Sequence, residues 1–291
     1  MSPSYRCSAD GVRPLLTAMR PRQWVKNVLV LLAPLAAGEL LDLDILLRSV
    51  AMLVLFCLVA SGLYLHNDLR DRSVDLLDPR TAGRPIAAGT LAPASARRGA
   101  WALITLAFVG AWLLGTGAVV VVAAYVALTF FYSVGLKRVP YLELLIVASG
   151  FLLRTVAGAT ASMLPISAWF LVVVSAAAVL VVTAKRTAEL IEGHSRRQVL
   201  GRYTIKQLSL VRRTAVVCTL AGYASWVVGQ DARPWGYLSL LVLGAVLVRF
   251  EQQAAQGRVA EPETYILRDP LIIIGGTTWF GVFIMTLLGG R

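Results

Sequence analysis

Residues 49–75 read SVAMLVLFCLVASGLYLHNDLRDRSVD, and this stretch decides what kind of protein the chain is. Its first 17 residues carry no charge, so they are long enough and apolar enough to cross a bilayer as a helix. Polar and charged side chains then follow at once, beginning at His66. The stretch therefore predicts a membrane-spanning helix that ends in a polar cluster at the membrane surface.

The polar cluster has helical spacing. If the helix continues through it, a rotation of about 100° per residue places four oxygen-bearing side chains within an arc of roughly 100°: those of Asn67, Asp68, Asp71 and Asp75. Carboxylates this close repel one another unless a cation lies among them, and Mg²⁺ commonly joins one or two carboxylates to substrate phosphates. The cluster indicates a magnesium site for phosphate chemistry, and the alternative interpretation is a solvated helix end.

The composition fixes the class of protein. Hydrophobic residues make up 57% of the 291, charged residues make up 15%, and the mean hydropathy is +0.71. Soluble domains are far more polar, so the chain is predicted to be an all-α, polytopic membrane protein. Two histidines and three cysteines without a C-x-x-C pair leave little material for a zinc site or a Ser-His-Asp triad.

Apolar runs of membrane-spanning length predict about nine transmembrane helices. We place them near residues 27–47, 48–67, 98–116, 117–136, 140–159, 166–185, 212–229, 234–250 and 270–289. Gly115 and Gly117 interrupt one long apolar run and separate the third span from the fourth.

The placement of the basic residues predicts the orientation. With the N-terminus in the cytoplasm, 24 of the 28 Lys and Arg residues fall in cytoplasmic segments, as the positive-inside rule requires. The formal net charge of +12 is thereby explained by topology, and no nucleic-acid partner is needed. Two long cytoplasmic loops follow, at 68–97 and 186–211, and the first carries the acidic cluster.

Three motifs resemble the UbiA superfamily of intramembrane prenyltransferases: N-D-x-x-D-x-x-x-D at 67–75, R-P-I-A-A-G at 84–89 and the segment 132–137. The leader at 20–30, residues 135–137, K-R-x-x-E-L at 185–190 and R-Y-T at 202–204 are similar to one branch of it. Members of that branch transfer a phosphoribosyl group to a polyprenyl phosphate for cell-wall arabinan. The resemblance implies one domain over 1–291, with a cytoplasmic leader at 1–26, cap loops at 68–97 and 186–211, and a central cavity open to the cytoplasm and to lipid.

The resemblance also implies an activity. The donor would be 5-phosphoribosyl diphosphate, the acceptor polyprenyl (decaprenyl) phosphate in a bacterial inner membrane, and the cofactor Mg²⁺ held by Asn67, Asp68, Asp71 and Asp75, of which the three aspartates would be catalytic. An anionic phosphate acceptor needs no general base. The implied substrate-binding residues are Lys26, Asn27, Arg70, Arg84, Tyr132, Lys137, Lys185, Arg186, Glu189 and Tyr203. For the basic ones, snorkelling to the membrane surface is the alternative interpretation.

Departures from the superfamily pattern keep alternatives open. Most members carry a second aspartate-rich motif after the sixth span, whereas this chain has Lys185, Arg186 and only Glu189 there. Cations suit a directly held phosphate, which fits either a prenyl monophosphate acceptor or the 5-phosphate of a ribose donor. An aromatic-acceptor prenyltransferase would carry the second motif. A cation-coupled transporter would place charges near mid-membrane in corresponding halves. In a further departure, Thr81 stands where the family often has lysine, and Arg80 lies beside it. The sequence does not decide whether the protein forms a homo-oligomer.

Two ionisable residues lie inside predicted spans, where charges are rare and usually have a partner. Glu143 lies near the cytoplasmic end of the fifth span, and we expect it to orient Lys137 or Arg138. Arg154 lies farther along the same span, where it either snorkels to the outer interface or faces a buried partner.

Overall fold

A computed structural model describes residues 12–193, 198–229 and 234–288, and it contains helices and no strand in those ranges. The prediction of an all-α, polytopic membrane protein is confirmed. The described residues form two compact units, which are treated separately below. Residues 1–11 of the predicted leader and 194–197 of the second predicted loop lie outside the described residues. The interpretation of 1–291 as one domain around a central cavity stays a prediction.

The first unit covers residues up to 34, then 40–133 and 156–164. It contains, wholly or in part, α1 (Val12–Ala18), a 3₁₀ helix (Pro21–Leu31), α2 (Leu32–Ala36), α3 (Leu43–Arg70), α4 (Arg72–Asp75), α5 (Pro93–Leu114), α6 (Thr116–Val134) and the last turns of α7 (Leu142–Ala161). Gly115, at φ 122°, lies between α5 and α6, as the breaker at that position predicts.

Helix α5 packs against α3 through small side chains. Ala96, Ala100, Ala107 and Ala111 are buried along one face of α5. On α3, a Cβ added at Gly62 would lie 2.9 Å from the Ala100 carbonyl oxygen. Small residues at such spacing let two helix backbones approach closely, which is how membrane helices associate without a hydrophobic driving force.

The predicted first span, 27–47, is wrong in its bounds and its geometry. The chain is helical from Pro21 to Ala36, mostly as 3₁₀ helix, and α3 begins only at Leu43. A 3₁₀ helix rises about 2.0 Å per residue against 1.5 Å for an α-helix, so these residues extend about 30 Å. That length matches the hydrocarbon core of a bilayer. The hydropathy pattern therefore did not predict this segment, which has fewer residues than the predicted span and a larger rise per residue.

The second unit contains most of α7, a 3₁₀ turn (Leu136–Arg138), α8 (Ala168–Glu192), a 3₁₀ helix (Gln198–Arg202), α9 (Ile205–Gly229), α10 (Pro234–Ala255), α11 (Pro262–Ile266) and α12 (Pro270–Leu288). Thr204 and Gln207 cap α9 reciprocally: the Gln207 amide donates to Thr204 Oγ1 at 3.2 Å, and the Thr204 amide donates to Gln207 Oε1 at 3.0 Å. This capping box fixes where α9 begins.

Seven helices of the described residues are long and apolar enough to cross a membrane: α3, α5, α6, α7, α8, α10 and α12. Helix α9 is equally long but less apolar, because Arg212 and Arg213 lie within it. The Arg212 guanidinium is buried, donates to Glu251 Oε2 at 2.8 Å and also donates to Thr187 Oγ1. A charge inside the second unit thus ties α8, α9 and α10 together.

The second predicted loop, 186–211, is largely helical, which corrects that expectation. Helix α8 continues to Glu192, and α9 begins at Ile205. Arg186 lies within α8, and its side chain is directed into the protein, where it has carboxylate partners.

Gly158 gives the first testable prediction. A Cβ at this position of α7 would lie 1.7 Å from the Val30 carbonyl oxygen, so Gly158→Ala forces two backbones apart. We expect a loss of about 1–3 kcal/mol of stability from overpacking. The matched control is Gly281→Ala in α12, where no atom lies within 4 Å and alanine should be neutral or stabilising. Thermal unfolding of both variants in one detergent tests this; equal midpoints would show that the contact is not tight.

Candidate active site

Two buried carboxylates of the first unit converge on one cation. Arg84 Nη1 donates to both oxygens of Asp75, at 2.9 and 2.8 Å, and lies 3.4 Å from Asp68 Oδ1. Asp68 is 3% exposed and Asp75 is 6% exposed. Buried carboxylates are stable only when paired, so the turn that carries Arg84 is held onto the end of α3. The sequence placed these three residues in one site, and the structure brings them together.

Arg20 completes this cluster, although it is not among the site residues predicted from the sequence. Its Nη2 donates to Asp68 Oδ1 at 2.5 Å, and its guanidinium lies 5.1 Å from the centre of the Tyr64 ring. Arg20 has left-handed backbone angles, φ 56° and ψ 61°, which are strained for a residue with a side chain. The available signal was the Arg20-Pro21 pair at the start of the leader motif.

The other two residues of the predicted acidic face are arranged differently. Helix α3 ends at Arg70, and Asp71 stands at the break before α4 with φ −89° and ψ 6°. An uninterrupted helix to Asp75 is therefore a wrong expectation. Asn67 Oδ1 accepts a hydrogen bond from Ser133 Oγ at 2.8 Å. In the described ranges, no three His, Cys, Asp or Glu side chains form a ready metal cage.

The donor set nevertheless fits a hard cation. Two carboxylates within reach of a single guanidinium nitrogen define a point where positive charge is stabilised from both sides. Mg²⁺ usually takes one or two carboxylates and completes its ligands with water and substrate phosphate, so a full protein cage is not required. Asp68 and Asp75 are therefore the residues that would hold the ion, and Arg84 lies beside the same oxygens.

A second arginine lies between two carboxylates in the second unit. Arg186 Nε and Nη2 donate to the two oxygens of Glu143 at 2.8 and 2.9 Å, and its Nη1 donates to Glu189 Oε2 at 2.8 Å. Glu143 is completely buried. The expectation that Glu143 orients Lys137 or Arg138 is contradicted, because Glu143 makes a two-pronged pair with Arg186 instead. Such a geometry is the most favourable one for a buried ion pair.

Tyr203 borders this second cluster. Its hydroxyl accepts a hydrogen bond from the Tyr141 amide at 2.8 Å and donates to Glu143 Oε1 at 3.4 Å. Burial, with the nearby Glu143 carboxylate, raises the pKa of Tyr203 to about 12. Tyr141 has φ 61°, and its ring meets the Tyr203 ring edge-on at 5.4 Å. Tyr203 thus provides a hydrogen-bond donor to the buried Glu143 carboxylate.

The remaining predicted residues differ in exposure. Asn27 is buried and its Nδ2 donates to Cys57 Sγ at 3.2 Å. Arg70 is exposed at the end of α3, whereas four are half-buried: Lys26, Tyr132, Lys137 and Lys185. Within the described part of the chain, Lys185 forms no hydrogen bond or ion pair. Their roles stay predictions.

Two further expectations concern Arg154 and Arg80. Arg154 is buried and its Nη1 donates to the Gly150 carbonyl at 2.6 Å, so the buried alternative holds and snorkelling is wrong. Arg80, next to Thr81, pairs with Asp78 at 3.3 Å on the surface.

Comparison with known sequences identifies relatives over nearly the whole chain. The decaprenyl-phosphate phosphoribosyltransferase of Mycobacterium tuberculosis (strain H37Rv) is 35% identical over 281 residues, which is 93% of each chain. The enzyme of the same name from Corynebacterium glutamicum is 34% identical over 293 residues, covering 96% of this chain and 87% of the relative.

Comparison with solved structures gives the same fold. A UbiA homologue from Archaeoglobus fulgidus, bound to GPP and Mg²⁺, superimposes with a TM-score of 0.70 over 95% of this chain and 99% of that chain, at 15% sequence identity. Residues 28–265 match the UbiA prenyltransferase family. The helices, the carboxylate–arginine cluster at the end of α3 and these comparisons lead to one conclusion: the chain belongs to the UbiA prenyltransferase family.

Proposed function

We propose that this protein transfers the 5-phosphoribosyl group of 5-phosphoribosyl diphosphate to a polyprenyl (decaprenyl) phosphate and releases diphosphate. The name carried by relatives of 34–35% identity over most of the chain supports this proposal. The observation that carries it is the cluster of Asp68, Asp75 and Arg84, since a diphosphate needs both a cation site and directly placed guanidinium groups.

In this proposal, Mg²⁺ held by Asp68 and Asp75 would neutralise the diphosphate and so make it a better leaving group. The neighbour from Archaeoglobus fulgidus that contains Mg²⁺ supports the choice of metal. Arg84 is placed to exchange its carboxylate partners for phosphate oxygens of the donor, because its side chain is one-third exposed. Arg20, with a similarly exposed side chain, contacts the same Asp68 oxygen and can do the same.

The chemistry is one substitution at C1 of the ribose. A phosphate oxygen of the acceptor forms a bond to C1 from the face opposite the diphosphate, while the bond from C1 to the diphosphate oxygen breaks. Diphosphate leaves with the electron pair, and the configuration at C1 inverts. Because the acceptor is already anionic at neutral pH, no side chain has to remove a proton. Charge stabilisation of the leaving group is the main task of the protein.

The cluster in the second unit supports a monophosphate acceptor. Its two carboxylates, Glu143 and Glu189, both pair with Arg186, whose side chain is only 4% exposed. This buried guanidinium is less able than the one-third exposed Arg84 to leave its carboxylates to a metal ion. Lys185 precedes this pair, is half-buried, and has no ion-pair partner among the residues that the structure describes. A single ammonium group of this kind suits one phosphate.

Lys185→Ala is the second testable prediction. We expect the apparent affinity for a phosphate-bearing substrate to weaken by about 1.5–3 kcal/mol, since one charge-assisted hydrogen bond is lost. The measurement is KM for each substrate with the other at saturation. Arg98→Ala, which removes an exposed cation of α5, is the control and should change neither constant. Unchanged constants in Lys185→Ala would leave this lysine as a membrane-surface residue.

The proposed function has a direct test. Purified protein is incubated with ribose-labelled 5-phosphoribosyl diphosphate and decaprenyl phosphate, with Mg²⁺ or with a chelator. We expect a labelled lipid that retains the 5-phosphate, together with one diphosphate per product, only when Mg²⁺ is present. Transfer of a prenyl group from prenyl diphosphate to an aromatic acid, without reaction of the sugar diphosphate, would overturn the proposal.

We further propose that the protein lies in a bacterial inner membrane and that its site faces the cytoplasm, because the water-soluble sugar diphosphate is made in the cytoplasm. The basic residues on the predicted cytoplasmic side support this orientation. Cysteine-free protein with single cysteines introduced at Ser73 or Leu41, both exposed, allows a check by membrane-impermeant labelling of intact cells. Labelling is expected at position 41 and not at position 73.

A further inference from the structure

A groove runs along the surface between α8 and α9 in the second unit. It has a volume of about 630 Å³ and is lined by matching stripes of the two helices. The stripes are formed by residues 171–179 of α8 and 210–218 of α9, with side chains spaced i, i+1, i+4, i+5 and i+8 on each. The groove is hollow because small side chains line much of it: Ser175, Ala176, Thr214, Ala215 and Cys218.

One end of this groove is cationic. A second depression of about 440 Å³ adjoins it, shares Leu210 with it, and is lined by Lys206, Ser209 and Arg213. Lys206 and Arg213 are seven residues apart on α9, so they lie on one helix face. Both are exposed, and neither forms an ion pair with any residue in the described ranges. Two uncompensated cations thus mark the mouth of an apolar channel.

The dimensions match one leaflet of a bilayer. From Lys206 to Cys218 the helix rises about 18 Å at 1.5 Å per residue. Half of a hydrocarbon core is about 15 Å. A ligand with its head at Lys206 and Arg213 and its tail in the groove would therefore lie within one leaflet. Because the channel is one strip between two helices, it suits a lipid with a single chain rather than a phospholipid with two.

We propose that this groove binds the polyprenyl phosphate acceptor from the membrane. The phosphate is held by Lys206, Arg213 and the Ser209 hydroxyl, and the first isoprene units lie against the small residues of α8 and α9. The choice of this lipid over other single-chain lipid phosphates rests on the proposed function. None of the residues that line the groove belongs to the carboxylate–arginine clusters, and Lys185 is not among them. The groove is therefore a docking position that the lipid occupies before its phosphate reaches the transfer site.

The test is photo-crosslinking of the full-length protein in mixed micelles, without the sugar substrate. A polyprenyl phosphate with a diazirine on an early isoprene unit should label peptides containing 171–179 and 210–218. Unmodified decaprenyl phosphate should compete, whereas decaprenol and phosphatidylglycerol should compete at least tenfold more weakly. Labelling confined to segments other than 171–179 and 210–218, or equal competition by phosphatidylglycerol or decaprenol, would overturn the proposal.

Matched variants separate the two ends of the groove. Lys206→Ala/Arg213→Ala should reduce labelling about tenfold, and Arg97→Ala/Arg98→Ala, which also removes two exposed cations, should not. Ala176→Phe should reduce labelling by filling the hollow, whereas Leu241→Phe on exposed α10 surface should have no effect. Size-exclusion profiles show whether each variant is folded. If the groove is unlabelled while ribosyl transfer proceeds, only this inference fails; if it is labelled without transfer, only the proposed function fails.

Discussion

Asp68→Asn is expected to lower kcat by about 10²–10³-fold, the usual effect of removing one preorganised charge-stabilising group. The change keeps the shape of the side chain and its capacity to accept hydrogen bonds from Arg20 and Arg84, but it removes the negative charge that would hold a metal ion. Arg84 retains Asp75, and Arg20 is partly exposed, so neither guanidinium becomes a buried unpaired charge. Catalysis should therefore fall much more than stability.

Initial rates with both substrates at saturation give the main measurement, and a magnesium titration gives the second. We expect Asp68→Asn and Asp75→Asn to need more Mg²⁺ for half-maximal rate. Asp78→Asn is the matched control, because Asp78 is on the same turn but pairs with Arg80 outside the cluster. If both cluster variants keep rates within about threefold of the parent, the metal assignment fails.

Arg186→Ala is expected to destabilise the protein by about 3–5 kcal/mol, because it leaves the fully buried Glu143 without its partner. The sequence alone predicts a different effect, namely weaker binding of a phosphate-bearing substrate, because it marks Arg186 as a candidate phosphate ligand. Three of the guanidinium nitrogens already donate to carboxylates, so Arg186 acts as a positioning residue for Glu143 and Glu189. The main readout is the unfolding midpoint in detergent.

A double variant makes this prediction specific. Glu143→Gln with Arg186→Met removes both charges and should recover much of the lost stability, since replacing a whole buried pair is far less harmful than breaking it. Lys185→Ala is the neighbouring control and should leave the midpoint unchanged. An Arg186→Ala protein of normal stability but raised KM would restore the interpretation of Arg186 as a direct phosphate ligand.

The membrane fold was predictable because hydropathy and length are local properties. The spans near 234–250 and 270–289 correspond closely to α10 and α12, and Gly115 separates α5 from α6 as its sequence context indicates. The segment before α3 was not predictable, since a hydropathy window assumes an α-helical rise and cannot detect a 3₁₀ helix. The polarity of α9 was also misleading, because Arg212 finds its partner Glu251 39 residues away.

The site was predictable in its acids and less so in its arginines. Asp68 follows from its place at the polar end of the predicted span, and Arg84 follows from its nearness in sequence. Asp75 was named on the premise of one continuous helix, whereas the structure brings it to the cluster on the separate helix α4. The pairing of Glu143 with Arg186 spans 43 residues, and the pairing of Arg20 with Asp68 spans 48, so no local pattern could reveal either. A buried charge in an apolar helix requires a partner, but it does not say which of several cations that partner is.

The geometry of the 3₁₀ helix Pro21–Leu31 determines which of its positions tolerate substitution. With three residues per turn, side chains at i and i+3 lie in line. Trp24, Asn27 and Val30 therefore form one straight row: Trp24 Nε1 donates to Ser61 Oγ at 3.0 Å, Asn27 donates to Cys57, and Val30 is fully buried. Between them, Val25 and Val28 are exposed. In a deep mutational scan, intolerance to apolar or polar replacement should therefore recur at every third position of this segment. Deletion of a single residue should abolish function, because it turns the rest of the row away from α3.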